Sequence, residues 1–543
     1  MLSGTAELAA RVGERVEARD FGAALSALQQ FVERVIFNPA SVAKVFTSLD
    51  LDLLCKAIAL EKSRSLDSRV PADCRGTVIL VSELSKAGGH NELIKDIVRL
   101  GLFPGPLSIV QTDCFDRLDD AVSQSFGESA GIDVQRVAGT GIDEKFDALV
   151  ASLRSAPPEK LLLLAHNQDA LAVAAAFAAK AASASTEVVY VHHGDHHLSL
   201  GAATQDFIHV DPHNIGYYHC RDKLGNRCNH YWPLTVGIKA DHRRETPFLS
   251  TGSLVTCSTG RAEKFEAGSY LYDYFELLPK ILRTTGGRHV HIGHLHPAQL
   301  ERLDAAMAAA GVHRSRVAHI PWVDSVAQAL VAHEVDLYIS SFPLGGGKAT
   351  LEAMASGIPL LMHQSYRSRF FGGVDIAYPG AFVWRNVAEL VDVFGRIDAS
   401  VLADHSSRAR RHYEKFHGDE LLVASCDFDH PQDESIIPPL TDFRVDALEC
   451  FLDDERQREA QSRESRREIE RQAAELQAYE KQAQHFQGEL TQMTAKAVAL
   501  ESALQAARVD FESQINRDRE ELAACQRELD RCLKKTELKS TGA

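Results

Sequence analysis

Long apolar runs, paired cysteines and an excess of basic charge are all missing from this 543-residue chain. No apolar stretch approaches the roughly 20 residues that a membrane-crossing helix needs. The ten cysteines are scattered, with no CxxC pair. In a chain of this length that argues against a disulfide framework or a zinc ribbon, and fits reduced thiols in a cytoplasmic protein. Fifty-nine Lys and Arg stand against 75 Asp and Glu, a net charge of −16. Nucleic acid is therefore a poor main partner, because its backbone calls for a concentrated basic surface. The opening MLSGTAELAARVGERVEARD has helical spacing and acidic residues where a secretory leader would show a basic end and an apolar block. What is present in quantity is ordinary apolar residue, 45% of the chain. At about 100–200 residues per domain that is enough for two or three cores.

Four regions separate along the chain. Over 1–72 apolar residues recur at helical spacing (Leu8, Val12, Val16; Leu25, Leu28, Val32; Leu49, Leu53, Ile58), broken at Asn38-Pro39 and ending near Val70-Pro71, which predicts a small helical domain. Over 73–245 short β-branched runs (Thr77–Ser82, Leu107–Gln111, Leu161–Ala165, Val188–His192) alternate with helical stretches such as the Ala-rich 169–182. A second alternation over 246–425 has strands at Ser253–Ser258, His289–Gly293, Val317–Ile320, Asp336–Ser340 and Pro359–His363. Continuous apolar strands alternating with helices specify parallel sheets covered on both faces, so the fold class is α/β with two Rossmann-like units facing a cleft. After a linker at 426–452, residues 453–535 contain no proline and one glycine, Gly488. Ile469, Leu476, Ala483, Leu490, Ala497 and Leu504 repeat by sevens and interleave with Tyr479, Phe486, Met493, Leu500 and Ala507. These are the a and d positions of a coiled coil, with a stutter after Phe511, and such a stripe needs a partner helix. Self-association into a homo-oligomer is the expectation.

The segment with the most chemical content runs from Asp336 to Leu361, DLYISSFPLGGGKATLEAMASGIPLL. A strand ends ahead of Gly345, Gly346 and Gly347, and a helix opens with Lys348, Thr350 and Glu352 in its first turns. Glycines admit a close ligand, and the helix start offers free N–H groups and the positive end of its dipole, a combination suited to a diphosphate. Neither GxxxxGK[ST] nor GxGxxG occurs here, which disfavours a P-loop or a dinucleotide fingerprint.

This stretch resembles the donor-binding signature of the GT-B nucleotide-sugar glycosyltransferases, and three further segments fall in the order that family requires. Gly88-Gly89-His90 follows the first strand, where the family carries a glycine loop. Ser258-Thr-Gly-Arg-Ala-Glu-Lys264 resembles its phosphate-neutralising Arg/Lys pair, here Arg261 and Lys264. Arg316-Val-Ala-His-Ile-Pro-Trp-Val323 resembles its base-contacting strand and loop. The resemblance covers about 75–420 and implies transfer of a sugar from a nucleoside diphosphate to a protein or glycan acceptor. It implies that Glu352 meets the ribose and that Gly89, Arg261, Lys264, the 345–347 glycines, Lys348 and Thr350 hold the donor. No cofactor is implied beyond the donor substrate, and no metal. Retaining members carry an acid where Leu344 stands. The FPLGGG form is closer to the peptide O-GlcNAc transferase and the bacterial adhesin glycosyltransferases, which invert.

The second constellation is Val191-His192-His193-Gly194-Asp195-His196-His197, just beyond a strand of the first unit. His at neutral pH, or Asp, suits a general base that takes the acceptor proton. A His at a matching position in many GT-B enzymes favours His193 or His192, with Asp195 orienting it or serving as the base. Adjacent His residues in extended chain point opposite ways, which weakens a metal reading of the run. Asp211 and His213, in DFIHVDPHNIGYYH, are candidates to line the cleft, while His289, His291, His294 and His296 are expected to be structural. Two competing functions remain: a sugar-nucleotide epimerase on the same fold, and a non-catalytic scaffold working through the coiled coil.

Overall fold

The structure, a computed structural model, describes every residue except 1–3, 39, 43, 67–73, 75, 86–88, 195–196, 223, 226–228, 267, 269, 367–372, 431, 441–447 and 541–543. Pro39, the Val70-Pro71 helix end, the 72/73 boundary, Gly88 and Asp195 therefore lie outside the described residues. The chain divides into two compact units, Met1–Glu455 and Arg456–Ala543.

Within the first unit there are two parallel sheets. The first contains β1 (Thr77–Val81), β2 (Leu107–Gln111), β3 (Asp133–Arg136), β4 (Lys160–Leu164), β5 (Glu187–Val191), β6 (Ile208–Asp211) and β7 (Asn229–Tyr231), in the order β3-β2-β1-β4-β5-β6-β7. The second contains β8 (Val255–Thr259), β9 (Arg288–Ile292), β10 (Val317–Ile320), β11 (Leu337–Ile339), β12 (Leu360–His363) and β13 (Phe382–Trp384), in the order β10-β9-β8-β11-β12-β13. Both orders run outward from their first strand, reverse, and continue on its other side, as in doubly wound nucleotide-binding sheets. The expected α/β class with two Rossmann-like units is what the chain adopts. The expected strands are present, with ends shifted by a residue or two. Three strands carried too little signal to be expected: β3 (DVQR) is polar, and β7 and β13 have three residues each.

Alternation within the strands builds the layers. Leu80, Leu161 and Leu163 face one core, whereas Ile79, Val81, Leu162 and Leu164 face another. The first core is closed by the helix Ala170–Ala182, buried over most of its length, whose small side chains let the N-terminal helices come close. Leu8, Leu25, Phe31 and Ile58 from the helices Thr5–Glu17, Phe21–Ile36 and Leu49–Arg64 share that core, as do Leu448, Phe451 and Leu452. The second core continues without a break into Val255, Cys257, Leu351, Met354 and Met362, joining the two sheets.

Asp169 organises the strand ends of the first sheet. Fully buried, its carboxylate accepts from Ser82 Oγ (2.7 Å) after β1, Thr112 Oγ1 (2.6 Å) after β2, and the Ala172 N–H (2.9 Å), capping the Ala-rich helix.

The helix Leu448–Ser540 has 93 residues and makes up nearly all of the second unit. The expected apolar stripe lies on it in full view: Ile469 is 65% exposed, Leu490 66% and Leu504 74%. Among the described residues no helix is long and apolar enough to cross a membrane.

Candidate functional site

In an open parallel sheet a ligand crevice forms where the strand order reverses, because connections there leave in opposite directions. The reversal falls between β1 and β4 in the first sheet and between β8 and β11 in the second. Of the segments singled out in the sequence, Gly89-His90 follows β1, Arg261–Lys264 follows β8 and the 345–347 glycines follow β11, whereas the His run follows β5 and Arg316–Val323 lies along β10.

After β8, Gly260 leads into a short turn, Ala262–Phe265, that carries Lys264 toward the loop after β11. Lys264 Nζ donates to the Gly345 carbonyl (3.2 Å), and a Cβ at Gly346 would stand 2.7 Å from that ammonium, so glycine leaves room for it beside the loop. Arg261 is exposed, its guanidinium 3.9 Å from Glu263. Burial, with Arg261 adding repulsion, lowers Lys264 to about 8. The helix Lys348–Ala355 starts directly after Gly347, its N-cap. The glycine loop, the helix start and the Arg261–Lys264 turn thus come together.

The other donor-side candidates have local partners. Thr350 Oγ1 donates to the Gly346 carbonyl (2.6 Å) and so shapes the loop. Glu352 Oε1 accepts from the N–H groups of Val326 (3.0 Å) and Ala327 (3.3 Å), capping the helix Val326–Ala332, and burial raises its carboxyl to about 7. Lys348 reaches to the first sheet, where its ammonium pairs with Asp96 and donates to the Thr235 carbonyl. Across the same gap, a Cβ on Gly347 would lie 3.6 Å from His213 Nε2. Trp322, just past β10, is 63% exposed.

The first-sheet reversal holds three imidazoles. Gly89, exposed, opens the helix Gly89–Leu100, and His90 follows it; His166 lies beyond β4 and His193 beyond β5. Ring centroids are 5.3 Å apart for His90 and His166, 5.6 Å for His90 and His193, and 6.5 Å for His166 and His193. Asn167 joins the loops after β4 and β5, donating to the Gly194 carbonyl (2.8 Å) and to Ser199 Oγ (2.7 Å). A Cβ at 194 would stand 2.1 Å from Asn167 Oδ1, so any larger residue would displace that amide. His90 Nε2 donates to the Glu83 carbonyl (2.9 Å), and His166 Nε2 lies 3.5 Å from the Glu83 carboxylate. Burial alone would raise Glu83, but the bonds from His166 and Arg117 outweigh it and hold it at about 2. Burial lowers His90 to about 4 and His193 well below its ordinary value, with the neighbouring imidazoles adding to it. Both are neutral at pH 7, and among the described residues His193 Nδ1 is buried with no hydrogen-bond partner.

His166 was missed in the sequence because a lone His after an apolar strand carries no pattern; its position at the reversal would have flagged it. His289 and His291 are structural: His289 bonds Thr256 Oγ1 and Tyr274 (2.8 Å each), and His291 bonds Tyr274 (3.0 Å). Asp211 faces away from this cluster, toward His192 and His209.

The helix Gly89–Leu100 relates the two centres. His90 stands near its start and Asp96, the partner of Lys348, six residues on, roughly 9 Å along the axis.

The Lys264 value sets a pH dependence. Were a diphosphate held by the Lys264 ammonium, its dissociation constant should rise as pH climbs through about 8. Calorimetric titration with nucleoside diphosphates at neutral and alkaline pH checks the slope; a flat profile removes Lys264 from the contact.

No family model matches this chain, and none of the curated proteins compared matches it. Among solved structures it is similar to a mutant O-GlcNAc transferase from Thermobaculum terrenum, at 14% identity and a TM-score of 0.42, over 78% of this chain and 82% of that one. It is similar to HepE from Anabaena, solved with UDP and glucose, at 14% identity and 0.47, over 64% and 97%. A UDP-N-acetylglucosamine 2-epimerase from Listeria monocytogenes, itself described as putative, is similar at 16% and 0.42, over 66% and 99%. Likenesses at this level do not speak to the reaction.

Proposed function

We propose that this protein is a glycosyltransferase that moves a sugar from a nucleoside-diphosphate donor to a protein or glycan acceptor. The observation that carries it is the Lys264 ammonium against the Gly345 carbonyl at the second-sheet reversal, beside the start of the helix Lys348–Ala355. Negative charge grows on the leaving diphosphate in the transition state, and a half-buried cation with backbone N–H groups stabilises it there without reorganising. Arg261 supplies a second cation from the rim. Thr350 holds the loop in shape, Glu352 meets the ribose, and Trp322 offers a face to the base. Lys348, paired with Asp96, holds the two sheets against one another at the donor site.

On the acceptor side His193 takes the proton of the attacking group. Burial, with His90 and His166 adding to it, keeps the ring uncharged before the reaction, the state a base requires. His193→Ala should lower turnover by about 10²–10⁴-fold while donor affinity stays within twofold, as single-turnover assays and calorimetry would report. Equal loss in binding and turnover would make His193 a structural residue.

Donor panels incubated with and without acceptor, with products followed by NMR, test the class. Sugar transfer supports the proposal. Isomerised donor with no acceptor present would favour an epimerase, the second function the fold allows.

The helix Leu448–Ser540 with its exposed stripe serves as an assembly element. Truncation after Glu455 should leave transfer intact and reduce the oligomer to smaller species in light scattering; an unchanged mass would show that the stripe does not mediate assembly.

A further inference from the structure

His192 and His193 adjoin in the chain but serve different surroundings. His193 faces His90 and His166, whereas His192 turns into the sheet toward β6 and the helix Asn214–Asp222. There, two imidazoles, a carboxylate and a thiol converge. His209 and Asp211 lie two apart on β6 and so share a face, and Cys220 comes down from the helix. His192 is 1% exposed, and His209, Asp211 and Cys220 are 0% exposed.

The spacing among them is that of a coordination shell. His192 Nδ1 is 2.9 Å from Asp211 Oδ1, and His209 Nε2 is 3.3 Å from the same oxygen. Cys220 Sγ is 3.9 Å from His192 Nδ1 and 3.8 Å from Asp211 Oδ1. One ligand atom from each of the four falls within 4.8 Å of every other. Four ligands bonded to zinc at about 2.0–2.3 Å define tetrahedron edges of roughly 3.3–3.8 Å, close to these separations.

Hydrogen bonding gives a second, independent pointer. The Ser199 hydroxyl donates to the His197 carbonyl (3.1 Å) and accepts from Asn167 Nδ2 (2.7 Å). His192 Nε2 lies 3.1 Å from Ser199 Oγ, and its Nδ1 is aimed at Asp211 Oδ1 across 2.9 Å, a gap in which a proton or a cation must lie. The other carboxylate oxygen, Asp211 Oδ2, is buried with no hydrogen-bond partner among the described residues, a condition rare in folded proteins without a compensating charge.

We infer that His192, His209, Asp211 and Cys220 form a structural binding site for a divalent transition-metal ion of zinc's class. Thiolate and imidazole ligands select such an ion over magnesium or calcium. Two neutral imidazoles, one thiolate and one carboxylate around a doubly charged cation sum to zero, the condition under which burial of so many polar groups is tolerated. Four protein ligands leave no open position, so the site orders the β5–β6 edge and the helix Asn214–Asp222 and takes no part in the transfer. The Ser199 bond to His192 fixes the ring for coordination. The Cys220 proton leaves for solvent when the ion binds. This departs from the metal-free expectation of the sequence, where Cys220 stands far from the histidine run.

Full-length protein purified without chelator should contain one zinc per chain by mass spectrometry. Stripping it with a strong chelator should lower the melting temperature, and zinc alone should restore it. Cobalt in place of zinc should give a thiolate-to-metal charge-transfer band, which reads Cys220 ligation in the unmutated chain. Cys220→Ser should lose that band and Cys220→Ser and His209→Gln should each lose bound zinc. If either variant fails to fold, the cobalt spectrum of the parent chain decides. Protein that carries no stoichiometric zinc, and gains no melting temperature when zinc is added, would overturn the site and leave a proton between His192 and Asp211. Zinc retained in full by both variants would overturn it as well.

Discussion

Lys264→Ala should reduce kcat/KM for sugar transfer by about 10²–10³-fold, the scale on which removing one preorganised charge-stabilising donor acts. The ammonium is half-buried against the glycine loop, whereas Arg261 is exposed and lies beside Glu263. Lys264→Arg should rescue little, because Gly346 leaves room for an ammonium and not for a planar fork. Steady-state assays with saturating acceptor would measure this. A fall of less than threefold would place the diphosphate elsewhere and undo the donor-site assignment.

The second large effect concerns stability. Asp169→Ala strips three buried donors of their acceptor at once: the hydroxyls of Ser82 and Thr112 and the N–H of Ala172. An unsatisfied buried donor costs about 1–3 kcal/mol, so the loss should reach about 3 kcal/mol or more. Denaturant unfolding should show this as a lower midpoint in the first unit. Asp169→Asn, which keeps one acceptor oxygen, should fall between. A change under 1 kcal/mol would mean that the three donors find other acceptors.

The sheets were legible in the sequence because apolar strands buried on both faces leave continuous runs such as VILV, LLLL and VVYV. The polar DVQR of β3 and the three-residue β7 and β13 gave no such signal, since neighbours supply their register. The glycine loop that runs into a helix was legible as a backbone feature, because three successive glycines ahead of a helix start leave a clear pattern. The occupations of the side chains beside it were not. Lys348 meets Asp96 some 250 positions away, and Glu352 caps a helix that precedes it, contacts that depend on tertiary packing. The His run showed a polar strand end, but the division of labour between His192 and His193 follows from which face each side chain takes.

One helix, Gly89–Leu100, touches both centres: His90 belongs to the imidazole group and Asp96 holds Lys348. A helix behaves as a stiff strut over so short a span. Separating the sheets beside the glycine loop must therefore either break the Asp96–Lys348 pair or drag His90 out of register with His166 and His193. On the proposed reading, product escape and disassembly of the proton-accepting group would be geared together, so that an open cleft is a disarmed one.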